Sequence, residues 1–344
     1  MKAPILISLA LFLGNSHDLS VKHEKGQVQR TSFTFEEQRT LSEMSSTVNG
    51  ENQGELDDMQ HEQSYEASGV FVDRTVGSTD SKRTVFDREY EELGLEMAVQ
   101  ITPPFGESVD EEASGESDLE GETVRFTWDA DEEDFSPAFP EGEGGDEDLL
   151  EGLEAEFPWA SYLPEEGVDT DDEWDIAPEV LIQTIEVGGD MSMTHDGEGM
   201  LGSAMSEVSG GRDGEYGGEM TATLVGVNEV DGRDQAEISI EVDVSLVQDN
   251  TEIARADMQE SDDFPEGAVV PDLESMVIET TYEGEGTLVW DVEGGYLVSL
   301  ELELELEFTH TIQLLVEFGG QSMDIEQIMT FEGERSMSIE VEVE

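Results

Sequence analysis

Tyr296 to Phe318 reads YLVSLELELELEFTHTIQLLVEF, and no other run in the chain constrains the architecture as tightly. Its even positions are Tyr296, Val298, Leu300, Leu302, Leu304, Leu306, Phe308, His310, Ile312, Leu314, Val316 and Phe318, eleven of twelve apolar or aromatic, whereas nine of its eleven odd positions are polar. Glu and Leu are good helix formers, but a 3.6-residue period would scatter these leucines around an axis, while a period of two lines them up. The pattern therefore predicts a β-strand. At ~3.3 Å per residue it would run roughly 75 Å unbroken, so a bend or bulge is expected near Thr309 to Thr311.

One dry and one wet face call for antiparallel neighbours. Upstream, Leu288, Trp290 and Val292 alternate into the turn Glu293-Gly294-Gly295. Downstream, Gly319-Gly320 leads into Met323, Ile325, Met329 and Phe331, then Met337, Ile339, Val341 and Val343. Paired glycines supply the positive φ of tight hairpins, so Gly286 to Glu344 reads as a three-stranded meander.

Charge is the extreme feature of the 344 residues: 87 acidic against 14 basic, a formal net charge of -73. Such a chain offers no basic patch from which to release counterions, which argues against nucleic acid and against anionic membrane surfaces. Self-repulsion on this scale calls for screening by salt or divalent cations. With no cysteine, disulfides and thiolate metal sites are excluded.

Residues 1–16 have the layout of a signal peptide: Lys2, the apolar run Ala3 to Leu13, and the small residues Gly14 and Ser16 at the cleavage-determining positions. Cleavage is expected after Ser16, giving a secreted or periplasmic protein. No later segment has the ~20 apolar residues of a membrane-crossing helix. Residues 17–30 then read as a flexible lead-in, 31–139 as an N-terminal antiparallel β half, 140–190 as a helical insertion, 191–217 as a Gly-, Met- and Ser-rich linker, and 218–344 as a C-terminal antiparallel β half.

A repeat underlies the two halves. GETVRFTWDADEEDF leaves a strand at Trp128-Asp129 and re-enters at Phe135, and GEGTLVWDVEGGY leaves one at Trp290-Asp291 and re-enters at Tyr296. In the first half, Thr31 to Val48, Ser64 to Val76 and Lys82 to Glu91 read as strands, Leu93 to Ile101 as an extension of the sheet, and Glu107 to Glu122 as an acidic loop. In the second, Ala236 to Val247 alternates strictly, and Glu252 to Pro271 reads as a charged loop. Between the halves the period changes. Leu149, Leu150, Leu153 and Phe157 predict an amphipathic helix over Asp146 to Phe157, and Pro178 opens a second over Glu179 to Ile185, stopped by Gly188-Gly189. The fold expected is mainly β: antiparallel meander sheets forming two related half-barrel or open-barrel halves, with two short helices inserted between them.

The middle of the chain keeps Trp128-Asp129, the run Leu149-Leu150-Glu151-Gly152-Leu153-Glu154, Leu163-Pro164, Trp174, Pro178 and Gly188-Gly189. In these it resembles a group of uncharacterised, signal-bearing, acidic, β-rich proteins of planctomycete-like bacteria. The resemblance covers roughly a quarter of the chain, its motifs are structural in character, and it implies no activity.

Motifs that carry catalysis are missing: there is no Gly-x-Ser-x-Gly elbow, His-Glu-x-x-His, Walker loop or dinucleotide fingerprint. His17, His23, His61, His195 and His310 are scattered, and His310, on the dry face of a strand, reads as a core histidine. No catalytic or cofactor-binding residue is assigned. Asp129 to Asp134 and Asp169 to Glu173 crowd hard oxygen ligands suited to calcium, yet lack the spacing of an EF-hand loop, so the metal question stays open. The reading reached is an exported, non-enzymatic binding protein sheltering an apolar small molecule or lipid between curved sheet and helices. A structural or cell-envelope module without a small ligand is the alternative. An outer-membrane barrel comes third, since the chain lacks aromatic girdles and finishes in SIEVEVE.

Overall fold

The computed structural model describes residues 16–55, 59–79, 82–103, 108–142, 145–185, 187–189, 191, 193–195, 214–260, 271–318 and 321–344. The expected signal peptide, apart from Ser16, and most of the expected linker lie outside them. The fold is mainly β, antiparallel throughout, and built on one open sheet. In chain order its elements are β1 (Val28–Val48), β2 (Glu51–Glu55), β3 (Gln60–Thr79), β4 (Lys82–Thr102), β5 (Val109–Ser117), β6 (Thr123–Asp129), β7 (Asp134–Ala138), β8 (Glu173–Ile176), α1 (Glu179–Ile185), β9 (Met193–His195), β10 (Glu215–Val230), β11 (Arg233–Asp249), α2 (Thr251–Glu260), β12 (Asp272–Asp291), β13 (Tyr296–Phe318) and β14 (Gln321–Val343). The spatial order is β7-β6-β4-β3-β1-β14-β13-β12-β11-β10-β8.

The meander of β12, β13 and β14 forms as its alternation dictates, with Leu300, Leu302, Leu304, Leu306 and Phe308 buried and Glu301, Glu303, Glu305 and Glu307 exposed. No bulge falls at Thr309 to Thr311. Strand β13 pairs without interruption with β14 from Ser299 to Phe318, and the register shifts lie instead toward β12, between Leu273 and Ser275 and between Val289 and Trp290. Curvature is absorbed by inward-facing glycines. A Cβ on Gly333 would run into the Gln38 carbonyl oxygen, and one on Gly284 into that of Glu303, so the backbones approach there more closely than any side chain allows.

The two β halves share this one sheet, because β1 pairs with β14 from Gln29 opposite Val343 to Val48 opposite Ile325. Phe33 and Phe35 thereby join Ile339 and Met337 in a single apolar cluster that also takes in Phe86, Ile240 and Leu300. Within it sits a buried ionic group. Glu37 is bridged by Arg335 and Arg39, and Arg335 also donates to the Tyr282 hydroxyl at 3.1 Å. Burial pushes the Glu37 carboxyl up, but the two guanidiniums outweigh it and hold the group below its ordinary range.

Several segments depart from expectation. The helix predicted over Asp146 to Phe157 is one 3-10 turn, Glu147–Leu150, because Gly152 takes a φ of 75° and reverses the chain. The acidic stretch Glu107 to Glu122 contains β5, held by backbone pairing with β4. Leu93 to Ile101, by contrast, extends the sheet as expected, as the continuation of β4. The charged loop after β11 begins with α2, whose first turn is capped where Asp249 accepts from the Thr251 amide at 3.0 Å. The lead-in is docked. His17 exchanges two backbone hydrogen bonds with Val168, Leu19 is buried, and the Lys22 amide donates to the Gly295 carbonyl at 2.9 Å.

Candidate functional site

At the end of the sheet where β1 begins and β14 finishes, a cleft of about 190 Å³ opens between strands and inserted segment. Its floor is set by register: Thr31 stands opposite Val341, and Gln29 lies two residues along β1 on the same face. Trp290, Tyr296 and Leu297 come from the β12–β13 hairpin, Lys82 and Arg83 from the start of β4, and Val21 and His23 from the lead-in. Phe157 and Trp159 form the opposite wall.

That wall is held by Arg88. Its terminal nitrogens donate to the Glu154 and Ala155 carbonyls at 2.9 and 3.0 Å, and its guanidinium lies 4.5 Å from the Phe157 ring centre. The segment is pinned a second time where Leu153 bridges Gly189 and the Glu154 amide donates to the Gly188 carbonyl at 3.0 Å. A Cβ on Gly189 would collide with the Gly152 carbonyl oxygen, so the Leu-Glu-Gly run and the Gly-Gly pair of the sequence meet in one knot. From it Phe157 stacks on Phe71 and Trp159 on Phe157, with ring centres 5.9 and 5.3 Å apart.

One Trp-Asp hairpin lines the cleft and the other stands beside it, at Lys82. Asp291 accepts from the Gly294 amide at 2.6 Å, which tightens the turn that presents Trp290 and Tyr296. Asp129 accepts in the same way from the Asp131 amide at 2.8 Å, and the Lys82 ammonium lies over the Trp128 ring. Behind the floor, Asp73 receives Arg83 and Arg88, each at 2.7 Å. Burial pushes the Asp73 carboxyl up; Arg88 and then Arg83 hold it below its ordinary range. Burial first and Arg83 second lower the His23 pKa from its ordinary value to about 4, with Asp73 opposing, which favours the neutral ring at physiological pH.

Three of the lining residues carry a buried polar atom without a hydrogen-bond partner: His23 at Nδ1, Arg83 at Nε and Trp290 at Nε1. Each such atom costs about 1–3 kcal/mol while unmatched, and each is covered by neighbouring atoms beneath the surface of the cleft. Larger depressions of about 560 and 660 Å³ lie where Glu36, Glu66, Glu96, Glu303, Glu305 and Glu334 line the sheet. Their like charges stand side by side, and among the described residues no group of three His, Asp or Glu is placed to hold a metal ion.

Of the residues singled out in the sequence, Trp290 and Tyr296 are in the cleft and Trp128 lies beside it. His310 is buried opposite Ile278 and Met329, its pKa lowered by burial alone, and takes no part. His61 sits edge-on to Phe331. His195 belongs to β9, paired with Gly115. The acidic loops use carboxylates to close turns: Asp172 accepts from the Asp169 amide at 2.8 Å, as Asp129 does in its own loop. His23, Lys82 and Arg83 were not legible as site residues. The one signal was scarcity, two adjacent bases in a chain with 14 in all.

No protein-family model matches this chain, and a search of curated proteins finds no relative.

Proposed function

We propose that the chain is an exported, non-enzymatic binding protein that shelters a small apolar ligand in the cleft between the sheet and the inserted segment. The observation that carries this reading is the aromatic enclosure of Phe157, Trp159, Trp290 and Tyr296 around a space whose edge holds Lys82 and Arg83. Binding sites combine apolar walls with a few placed polar groups in this manner. A cavity of 150 Å³ admits benzene, so about 190 Å³ suits one ring or a short chain rather than a full lipid.

The test is native mass spectrometry of protein purified from its own host, with and without chelator, alongside intrinsic tryptophan fluorescence. A co-purifying small molecule whose release changes Trp159 and Trp290 emission supports the reading. A ligand-free mass and an unresponsive spectrum across a panel of one-ring and medium-chain compounds overturn it.

The second reading, a structural or cell-envelope module, is favoured by the rest of the interior, where a single apolar cluster fills the concave face. The outer-membrane reading is disfavoured by the carboxylates of Glu301, Glu303, Glu305 and Glu307 on the exposed face, where hydrocarbon would demand apolar side chains.

A further inference from the structure

We infer that the ligand of this cleft is a small apolar anion, one ring or a short chain bearing a single carboxylate-type group, with its charged end at Lys82 and Arg83. The inference rests on the binding reading above and adds the chemical class. Across the chain acids outnumber bases 87 to 14, yet the cleft is lined by Lys82 and Arg83 against the lone carboxylate of Glu156. The acid behind the floor is already committed: Asp73 is shared between Arg83 and the fully buried Arg88, two cations to one anion. Asp73 thus leaves the trio with a formal positive charge close to the cleft.

The geometry of the donors agrees. Arg83 spends one terminal nitrogen on Asp73 at 2.7 Å, and its guanidinium lies over Phe86, 3.9 Å from the ring centre. A carboxylate offers about four lone-pair sites, which suits a cleft edge built from Lys82 and Arg83, cations that only donate, where an ammonium would meet like charge. The aromatic wall of Phe157 and Trp159 stands ready for the apolar end.

The experiment pairs isosteres that differ only in charge: phenylacetate against phenylacetamide, and octanoate against octanamide, titrated calorimetrically into the full chain with tryptophan emission as a second readout. The expected result is a carboxylate bound at least tenfold more tightly than its amide, with Lys82→Met and Arg83→Gln each erasing most of that preference, the carboxylate losing far more affinity than the amide. Lys82→Met retains the stem beside Trp128, so the test survives if Arg83→Gln fails to fold. Equal affinity for acid and amide overturns the anion inference and leaves the apolar-ligand reading standing. Tighter binding of the amide does the same. Failure of all four compounds to bind overturns both.

Discussion

Arg88 clasps Asp73 with two nitrogens, Nε to Oδ1 at 2.7 Å and a terminal nitrogen to Oδ2 at 2.9 Å, and both side chains are buried. The same guanidinium holds the Glu154 and Ala155 carbonyls, so one residue ties sheet, buried carboxylate and cleft wall together. Removing the carboxylate leaves two cations facing each other in a dry interior. Asp73→Asn is expected to cost about 3–5 kcal/mol, read from the urea midpoint, whereas Arg83→Gln, which leaves the Arg88 pair intact, costs clearly less. Acid should reproduce the loss. The Asp73 contribution is complete above the unfolded carboxyl pKa and disappears as pH falls through the depressed folded value.

Trp159 stacks on Phe157 and remains half-buried, at the cleft rather than in the cluster beneath it. Trp159→Ala should therefore lower ligand affinity by roughly tenfold or more while shifting stability by no more than about 1 kcal/mol. Parallel calorimetric titration and thermal melting separate the two effects. A large loss of stability with unchanged affinity would assign the ring to the core.

Three histidines are kept neutral by the fold. Burial lowers His23 to about 4, with Arg83 adding to the effect, and it lowers His61 and His310 as well. Unfolded imidazole titrates near pH 6.5, so protons bind the unfolded chain first as pH drops. Their stabilising contribution is whole above about 6.5, shrinks as pH falls, and for His23 stops shrinking near 4. Carboxylate protonation relieves repulsion over part of the same range, so the check is a difference. His23→Gln should gain on the parent chain between pH 6.5 and 4, by roughly 1–2 kcal/mol after allowance for the ring's partial exposure.

On the exposed face Glu219, Asp243, Glu283, Glu305 and Glu334 stand directly opposite one another across five neighbouring strands. Adjacent unit charges ~5 Å apart repel by roughly 0.8 kcal/mol in water, less in salt. Glu305→Gln, at the centre of flanking charges, should raise stability at low ionic strength by about 1 kcal/mol and flatten its dependence on salt. Denaturant midpoints across a sodium chloride series would show it, and an unchanged slope would mean the ladder is screened by other means.

Gly333 lies opposite Arg39 and Leu306, with its α-carbon so close to the Gln38 carbonyl that no Cβ fits. Gly333→Ala must push β14 away from β1, the strand pair that joins the N- and C-terminal parts of the chain. A loss of about 1–3 kcal/mol is expected, measurable as a drop in melting temperature. Gly232→Ala, in a turn with nothing nearby, meets only the strain of its positive φ and serves as the comparison.

What the sequence determined by itself is the local pattern. Alternation in Tyr296 to Phe318 and Ala236 to Val247, and turn chemistry at Gly294-Gly295, define strands and hairpins because side chains in a pleated backbone face opposite ways at every step. Trp128-Asp129 and Trp290-Asp291 were readable as strand exits for the same reason. The joining of the two halves into one sheet was decided only by tertiary structure. Nothing local in Thr31 to Phe35 selects Met337 to Val341 as partner some three hundred residues away; the choice follows from burying Phe33 and Phe35 in a cluster that does not exist until the sheet curls. Likewise the helical spacing of Leu149, Leu150, Leu153 and Phe157 lost to Gly152, whose positive φ reverses the chain, and the Glu154 and Ala155 carbonyls beyond it accept from Arg88. The cleft inherits that outcome. Its residues come from five separate stretches, and only their packing sets two rare bases beside aromatic walls.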